Sequence, residues 1–238
     1  MDITVLASGS KGNCYKVYNA DSALLLECGI PYKQLQAKLG YKTTNLTACL
    51  ITHEHKDHSR AAVHLLKAGI DCYMTQGTAD NLDTPKGYHV KIFKRMDKGY
   101  YSHKIGSFMV TPFKTRHDAA EPVGFVIRDT IACKTLIFIT DTGYIYHILP
   151  QADYMILECN FVQAKLDSNV AAGLLHVSLR NRIVQNHMSL ERALGVLRQQ
   201  KHLQRVYLAH LSDANSDAQA MQRAAEELLG VEVIISTT

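Results

Sequence analysis

The chain has 238 residues, with 26 Lys and Arg against 22 Asp and Glu for a net charge of +4, and 47% of it is hydrophobic. That length and apolar content can bury a substantial core, no linker divides the chain, and a single domain over residues 1–238 is expected; no apolar run approaches the roughly 18 residues of a membrane span. The charge is too mild to indicate nucleic acid by itself, and the six cysteines, with no Cys-x-x-Cys spacing, suit buried reduced thiols rather than a disulfide framework.

The runs Ile3 to Ser8, Cys14 to Asn19 and Ala23 to Glu27 are strand-like and are separated by Gly-Ser-Lys-Gly-Asn and Ala20-Asp21-Ser22, the punctuation of an antiparallel meander. The first strand begins at once, without a basic or apolar leader, which predicts a cytoplasmic protein. Pro31 and Gly40 bracket a helix from about Tyr32 to Leu39. Ala48 to Thr52, short, apolar and partly β-branched, reads as a buried strand; beyond it Ser59 reads as the N-cap of a helix over Arg60 to Ala68, closed by Gly69. A strand over Asp71 to Met74, a polar stretch from Gln76 to Gly87, and strands near His89 to Phe93, Phe108 to Phe113 and Pro122 to Ile127 follow. Between Lys86 and Lys104, six basic residues (Lys86, Lys91, Lys94, Arg95, Lys98 and Lys104) face one acid, Asp97, which fits either phosphate contact or a solvated edge hairpin. From Thr135 the order changes to strand (Leu136 to Thr140), short helix (Tyr144 to Leu149), strand (Tyr154 to Glu158), helices (about Ala171 to Gln185, and Leu190 to Gln200), strand (Val206 to Ala209), helix (Asp217 to Leu229) and strand (Val231 to Ile235). Two sheets with helices outside both satisfy that pattern.

The residues that carry chemistry are His53-Glu54-His55-Lys56-Asp57-His58, between the Ala48 strand and the next helix. Imidazole and carboxylate are ligands for a zinc-class metal, and His53 and His55, two apart in an extended segment, point to one side. Asp57 and His58 lie past the bend and can face a second ion. His117, Asp141 and His210 each follow a strand-like run, and His187 precedes the Leu190 helix, so all sit where open α/β architectures gather their ligands.

The hexapeptide resembles the His-x-His-x-Asp-His signature of the metallo-β-lactamase superfamily, and His117, Asp141 and His210 match that family's later histidine, bridging aspartate and final histidine in order. The resemblance implies an α/β, four-layer αββα sandwich and two divalent metals, zinc or manganese: one on His53, His55 and His117, the other on Asp57, His58 and His210, bridged by Asp141. Leu6 to Asn13, His117 to Phe125, Thr140 to Gly143, Leu157 to Asn160 and Leu208 to Ser212 look like the bacterial YycJ/WalJ (VicX) branch, associated with 5′-exonuclease activity on double-stranded DNA. His187-Met188-Ser189 is similar to the proton-donor segment of ribonuclease Z. Glu27, where the family has aspartate, and Asn186, where the branch has glycine, depart from the pattern without removing a ligand. The short stretch from Asp141 to His210 leaves no room for the inserted cap of β-CASP nucleases, so the resemblance implies an open cleft.

Two metals bridged by water lower its pKa from 15.7 toward ~7. Attack on phosphorus then leaves an alkoxide that needs a proton, and His187, at the start of the Leu190 helix, is the candidate acid; Asp57, as a metal ligand, is the other candidate catalytic residue. Glu158 and Asn160 orient a ligand histidine or simply end a turn. The leading expectation is a metal-dependent phosphodiesterase on nucleic acid, DNA before RNA, with no membrane partner; dimers are common in the superfamily, which allows a homodimer, but no stretch of the sequence identifies an interface. The alternatives are a cyclic-nucleotide or other small-molecule phosphodiesterase, a thioester, lactone or β-lactam hydrolase, and a metal-binding protein without turnover.

Overall fold

Strand-forming runs separated by Gly, Asn and Asp turns fold the amino-terminal segment into an antiparallel meander, β1 (Asp2–Ala7), β2 (Cys14–Tyr18) and β3 (Ala23–Leu26). A computed structural model describes residues 1–83 and 87–236 and divides the chain into two compact units. The first comprises Met1–Lys114 and Ala119–Lys134, the second Thr115–Asp118 and the chain from Thr135 on.

In the first unit the meander continues through α1 (Tyr32–Lys38) into parallel strands β4 (Ala48–Leu50), β5 (Cys72–Met74) and β6 (Val90–Ile92), giving the sheet order β1-β2-β3-β4-β5-β6. Between β4 and β6 lie α2 (Lys56–Ser59), α3 (Ala62–Lys67) and α4 (Gln76–Asn81). Leu35 of α1 and Leu65 and Leu66 of α3 share a core with Cys14, Leu25, Cys49 and Cys72 of the strands, so these helices cover one sheet face. After β6 come the ribbon β7 (Arg95–Met96) and β8 (Gly99–Tyr100), then the antiparallel set β9 (His103–Ile105), β10 (Phe108–Lys114) and β11 (Val123–Asp129). Phe125 of β11 meets Phe93, just past β6, at 5.6 Å between ring centroids.

The second unit is built on β12 (Lys134–Ile139), β13 (Tyr154–Glu158), β14 (Arg205–Ala209) and β15 (Glu232–Ile235), parallel neighbours in chain order. Their middles, such as Ile137-Phe138-Ile139, Met155-Ile156-Leu157 and Val206-Tyr207-Leu208, are continuous buried apolar runs, as strands covered on both faces require. Helices α5 (Gln163–Ala171), α6 (Val177–Asn186), α7 (Leu190–Leu197) and α8 (Ala218–Leu229) connect them. Ser189 and Asp217 cap α7 and α8, and Gly230 ends α8 in the left-handed conformation at φ 65°. The whole is mixed α/β, with sheets flanked by helices. No described helix is long and apolar enough to cross a membrane.

Four expectations are corrected. Ser59 does not cap a helix over Arg60 to Ala68; its hydroxyl donates back to the carbonyls of Glu54 (2.8 Å) and His55 (3.0 Å), and helix begins four residues earlier, at Lys56 inside the hexapeptide. The polar stretch after Met74 contains α4, which Thr75 starts by accepting the Thr78 N–H. No helix spans Tyr144 to Leu149, because the Thr142 hydroxyl takes the Tyr144 carbonyl (2.8 Å) that a helical turn needs and Pro150 closes the way onward. The helix expected over Ala171 to Gln185 is two, α5 and α6: Gly173 at φ 71° turns the chain, and the N–H groups of Leu174 and Leu175 both return to the Asn169 carbonyl. Five of the six cysteines are buried as expected, whereas Cys133 is exposed.

Candidate metal centre

In the first unit, His53 to His58 begins three residues beyond the carboxyl end of β4, and Glu27 directly follows its parallel neighbour β3. The Thr52 hydroxyl sits 2.9 Å from His53 Nδ1, which orients the ring and leaves Nε2 for a ligand. The ring of His53 lies 4.7 Å from that of His55 and 4.2 Å from that of His58, and His53 and His55 offer nitrogens within 4.8 Å of each other. Asp57 Oδ2 is 3.4 Å from His58 Nε2. His58 is fully buried, with Glu27 Oε1 3.5 Å from its Nδ1 and Asn13 Nδ2 3.3 Å from its Nε2. Burial pushes the Glu27 carboxyl up, partly offset by the charge of His58 and its hydrogen bond. Asn13 also donates its backbone N–H to the Asp57 carbonyl at 2.7 Å, and the Cys28 N–H donates to the His58 carbonyl at the same distance. Gly29 completes the cradle: a Cβ there would lie 1.7 Å from the Asp57 carbonyl oxygen, so only glycine lets the chain pass.

In the second unit the acidic and imidazole groups stand at the carboxyl ends of three adjacent parallel strands: Asp141 after β12, Glu158 closing β13 and His210 after β14. Ligand atoms of Asp141, Glu158, His187 and His210 all lie within 4.8 Å of one another. Glu158 is the hub. Its Oε1 accepts from Nδ1 of His187 at 2.6 Å and of His210 at 3.2 Å, while Oε2 accepts the backbone N–H groups of Thr142 (2.7 Å) and Met188 (3.2 Å). Burial raises the Glu158 carboxyl, but the His187 charge and the hydrogen bonds from both histidines outweigh it and hold it below the usual carboxylate range. Burial likewise pushes His187 down, and the Glu158 charge reverses this and holds His187 above the ordinary imidazole value.

Asn160 donates to the His210 carbonyl at 2.7 Å, which keeps that residue in place, and Asp141 Oδ1 lies 3.0 Å from His210 Nδ1. His117 Nδ1 lies 3.2 Å from the Asn186 carbonyl and Nε2 3.6 Å from Asp141 Oδ2; burial pushes this imidazole down. The rings of His117 and His210 flank that of His187 at 5.5 and 5.3 Å.

The first unit thus brings together His53, His55, Asp57 and His58, and the second His117, Asp141, His187 and His210. As donor sets, imidazoles held by their far nitrogens beside carboxylates fit a divalent metal. Glu158 and Asn160 do contact a histidine as considered from the sequence. The backbone N–H of Asn13 does serve the site floor, as the segment Ser8 to Asn13 suggested, whereas the Asn13 side chain, Glu27 and Gly29 were missed as groups that hold His58 and Asp57; the one signal was an acid at the end of an apolar strand.

Of the basic stretch, Lys86 lies outside the described residues. Lys91 is 3.7 Å from Asp71 and over the Tyr88 ring at 3.9 Å, Arg95 is 3.6 Å from Glu121, and Lys94 and Lys98 are exposed around the β7-β8 ribbon, which favours the edge-hairpin reading. Three histidines left without a metal role have structural partners: His64 stacks on Tyr32, His89 Nδ1 meets Asp71 at 2.7 Å, and His176 caps α6.

A model of the beta-lactamase superfamily domain matches residues 24–211. An exodeoxyribonuclease WalJ from Streptococcus pneumoniae serotype 2 is 30% identical over 234 residues, covering 90% of this chain and 82% of that protein. An exodeoxyribonuclease YycJ from Bacillus anthracis is 27% identical over 244 residues, covering 96% and 89%. Among solved structures, the metallo-beta-lactamase fold protein YhfI from Bacillus subtilis superposes with a TM-score of 0.76 at 21% identity, over 98% of this chain and 95% of that one.

Proposed function

Because the chain belongs to the beta-lactamase superfamily and is a metal-dependent hydrolase, we propose that it is a nuclease that removes nucleotides from the 5′ end of DNA. The observation that carries the reading is His187, whose Nδ1 is clamped by the buried carboxylate of Glu158 at 2.6 Å beside Asp141 and His210. Cleavage of a phosphodiester expels an alkoxide, far more basic than the thiolate a thioester expels, so an imidazolium held next to the reacting phosphorus is a device this substrate class needs. The names of the two curated relatives support nucleic acid and, more finely, DNA.

In this reading His53, His55 and His117 would hold one metal and Asp57, His58 and His210 the other, with Asp141 shared between the two sets. Zinc or manganese bound there would supply a hydroxide at neutral pH and an electrophile for the phosphate oxygens. The chain's own residues do the rest. Thr52, Glu27 and Asn13 fix the rings of His53 and His58, and Glu158 fixes His210 and His187 through Nδ1. With Nδ1 committed to Glu158, the proton His187 gives up comes from Nε2, and the same carboxylate stabilises the charged ring until the transfer.

The experiment is product analysis of zinc- or manganese-loaded protein on 5′-labelled double-stranded DNA, with Asp57→Ala as the blank. Labelled mononucleotides from the wild type alone are the expected result. A metal-loaded protein that cleaves bis-p-nitrophenyl phosphate but no DNA or RNA would keep the chemistry and overturn the nucleic-acid substrate.

A further inference from the structure

The irregular segment that follows Asp141 is rich in exposed aromatic side chains. Tyr144 and Tyr146 are 52% and 61% exposed, and their rings meet edge to face at 4.9 Å between centroids. Two tyrosines in water gain little from such exposure, and a soluble surface ordinarily turns rings inward. Beside them the exposed guanidinium of Arg116, one residue before His117, donates from Nη1 to the Tyr146 hydroxyl at 3.1 Å.

This cluster is not a loose loop tip. Thr142 joins three segments: its N–H goes to Glu158, its hydroxyl accepts the Arg116 N–H at 3.0 Å, and the same hydroxyl donates to the Tyr144 carbonyl. Gly143 donates to the Arg116 carbonyl at 3.1 Å, and its own carbonyl accepts Arg192 Nη1 at 2.8 Å. A Cβ on Gly143 would lie 2.0 Å from the Gln185 carbonyl oxygen, so the segment is pressed against α6. The two rings and the guanidinium are therefore held at a set place relative to Asp141 and His187. Tyr144 also forms one wall of a pocket of about 240 Å³ with Met188, Arg192 and Val196, next in sequence to His187.

We propose that Tyr144, Tyr146 and Arg116 form a platform for a single-stranded nucleic-acid end, on which unpaired bases stack while the Arg116 guanidinium takes an adjacent phosphate. Aromatic faces paired with a guanidinium are the chemistry by which single strands are held without regard to sequence. A duplex buries its base faces and offers such rings nothing to stack on, so the occupant is an unpaired tail or frayed end rather than intact double helix. A protein partner would use the same rings as apolar anchors; the nucleic acid is favoured because the platform is carried by the segments of Asp141 and His117, and because the nearby acid Asp118 is already paired with Arg182 at 3.0 Å. The proposal rests on the nuclease reading and adds to it where and how the strand approaches.

The test uses metal-loaded full-length protein and a duplex with a short 5′ tail joined by cleavage-resistant phosphorothioates, with bases or with abasic sites in the tail. Wild type should bind the tail with bases about 5- to 100-fold more tightly than the abasic tail. The double variant Tyr144→Ala/Tyr146→Ala should bind both tails alike, Tyr144→Phe/Tyr146→Phe should keep the wild-type ratio, and Tyr41→Ala, on an exposed tyrosine of the first unit, should change nothing. Arg116→Ala should flatten the dependence of log affinity on log salt by about 0.7, the share of one single-strand phosphate.

A wild-type ratio near one, an unchanged ratio in the double alanine variant or a ratio lost in the phenylalanine variant would overturn the platform even if the protein digests DNA. So would a change in oligomeric state in place of a change in binding, which would assign the rings to a protein contact. Wild-type protein inert on all nucleic acid would remove the nuclease reading and the platform together.

Discussion

Glu158→Gln is the most informative single substitution, since it preserves volume and removes only a charge and one acceptor. In the native site one carboxylate oxygen receives two imidazole Nδ1–H groups, and the other receives the backbone N–H groups of Thr142 and Met188. An amide offers a carbonyl to one pair only and turns two donors on the other. Facing the amide nitrogen to the backbone would leave two buried N–H groups without an acceptor, at about 1–3 kcal/mol each. Facing it to the imidazoles costs less, because a histidine can move its proton from Nδ1 to Nε2. His187 and His210 then change tautomer, and Nε2 of His210, the nitrogen left for a metal, becomes an N–H. Loss of such an outer partner lowers metal affinity by roughly 10- to 100-fold. The variant should therefore keep the melting temperature of the metal-free protein, bind zinc 10- to 100-fold more weakly in competition with a chromophoric chelator, and regain only part of its hydrolysis at saturating metal. Wild-type zinc affinity in a folded Glu158→Gln protein would refute the tautomer argument. A collapse of the metal-free melting temperature would show instead that Glu158 acts as a structural anion.

Gly29→Ala places a methyl 1.7 Å from the Asp57 carbonyl oxygen, a backbone atom that cannot swing aside; a cost of at least about 1–3 kcal/mol and a fall of several degrees in melting temperature are expected, with weaker metal binding. His187→Ala should retain metal content and lower turnover on DNA by about 10²- to 10⁴-fold while sparing bis-p-nitrophenyl phosphate, whose nitrophenolate leaves without a proton; equal losses on both substrates, measured as kcat, would refute the donor role. Thiol titration of the native protein should find one fast cysteine, Cys133, because the other five are buried and burial raises the thiols of Cys14, Cys49 and Cys159; several fast thiols would contradict the described core. Removal of metal by a chelator should lower the melting temperature in proportion to occupancy, by about 2.7 kcal/mol of stability at a hundredfold excess of metal over its dissociation constant, and readdition should restore it.

The strand ends that carry the acidic and imidazole groups of the second unit were legible because each closes a run whose physics is plain. Ile137-Phe138-Ile139, Ile156-Leu157 and Tyr207-Leu208 are apolar enough to be parallel strands, so the candidate ligands Asp141 and His210 and the carboxylate of Glu158 lie at the carboxyl edge. Periodicity said nothing of the residues that hold these ligands. Glu27 points at His58 from a left-handed backbone, and no propensity predicts that for glutamate. The break between α5 and α6 rests on one glycine in a stretch that otherwise reads as helix, and α4 is too polar to show an apolar face. Gly29 and Gly143 are needed because another segment's carbonyl crosses close by, a long-range fact that local sequence does not carry.

Three of the five non-glycine residues with positive φ among those described are Glu27 (62°), Asp141 (45°) and His210 (56°). Each follows a strand, β3, β12 or β14, and each places its side chain in one of the two His-Asp clusters. A residue that continued the strand would send successive side chains to alternate faces of the sheet; a single left-handed residue reverses the chain's course and leaves its side chain at the strand end. Such a conformation costs of order 1–3 kcal/mol at each position and persists only where neighbours over-determine it. Those neighbours can be named: the Leu50 carbonyl accepts the Glu27 N–H at 2.9 Å, Thr52 N donates to the Glu27 carboxylate at 3.3 Å, and Asn160 donates to the His210 carbonyl. Selection for stability alone would put glycine or asparagine at all three positions. The charged and imidazole side chains that stand there go against that preference, so the backbone itself singles out these strand ends, in agreement with the proposed site.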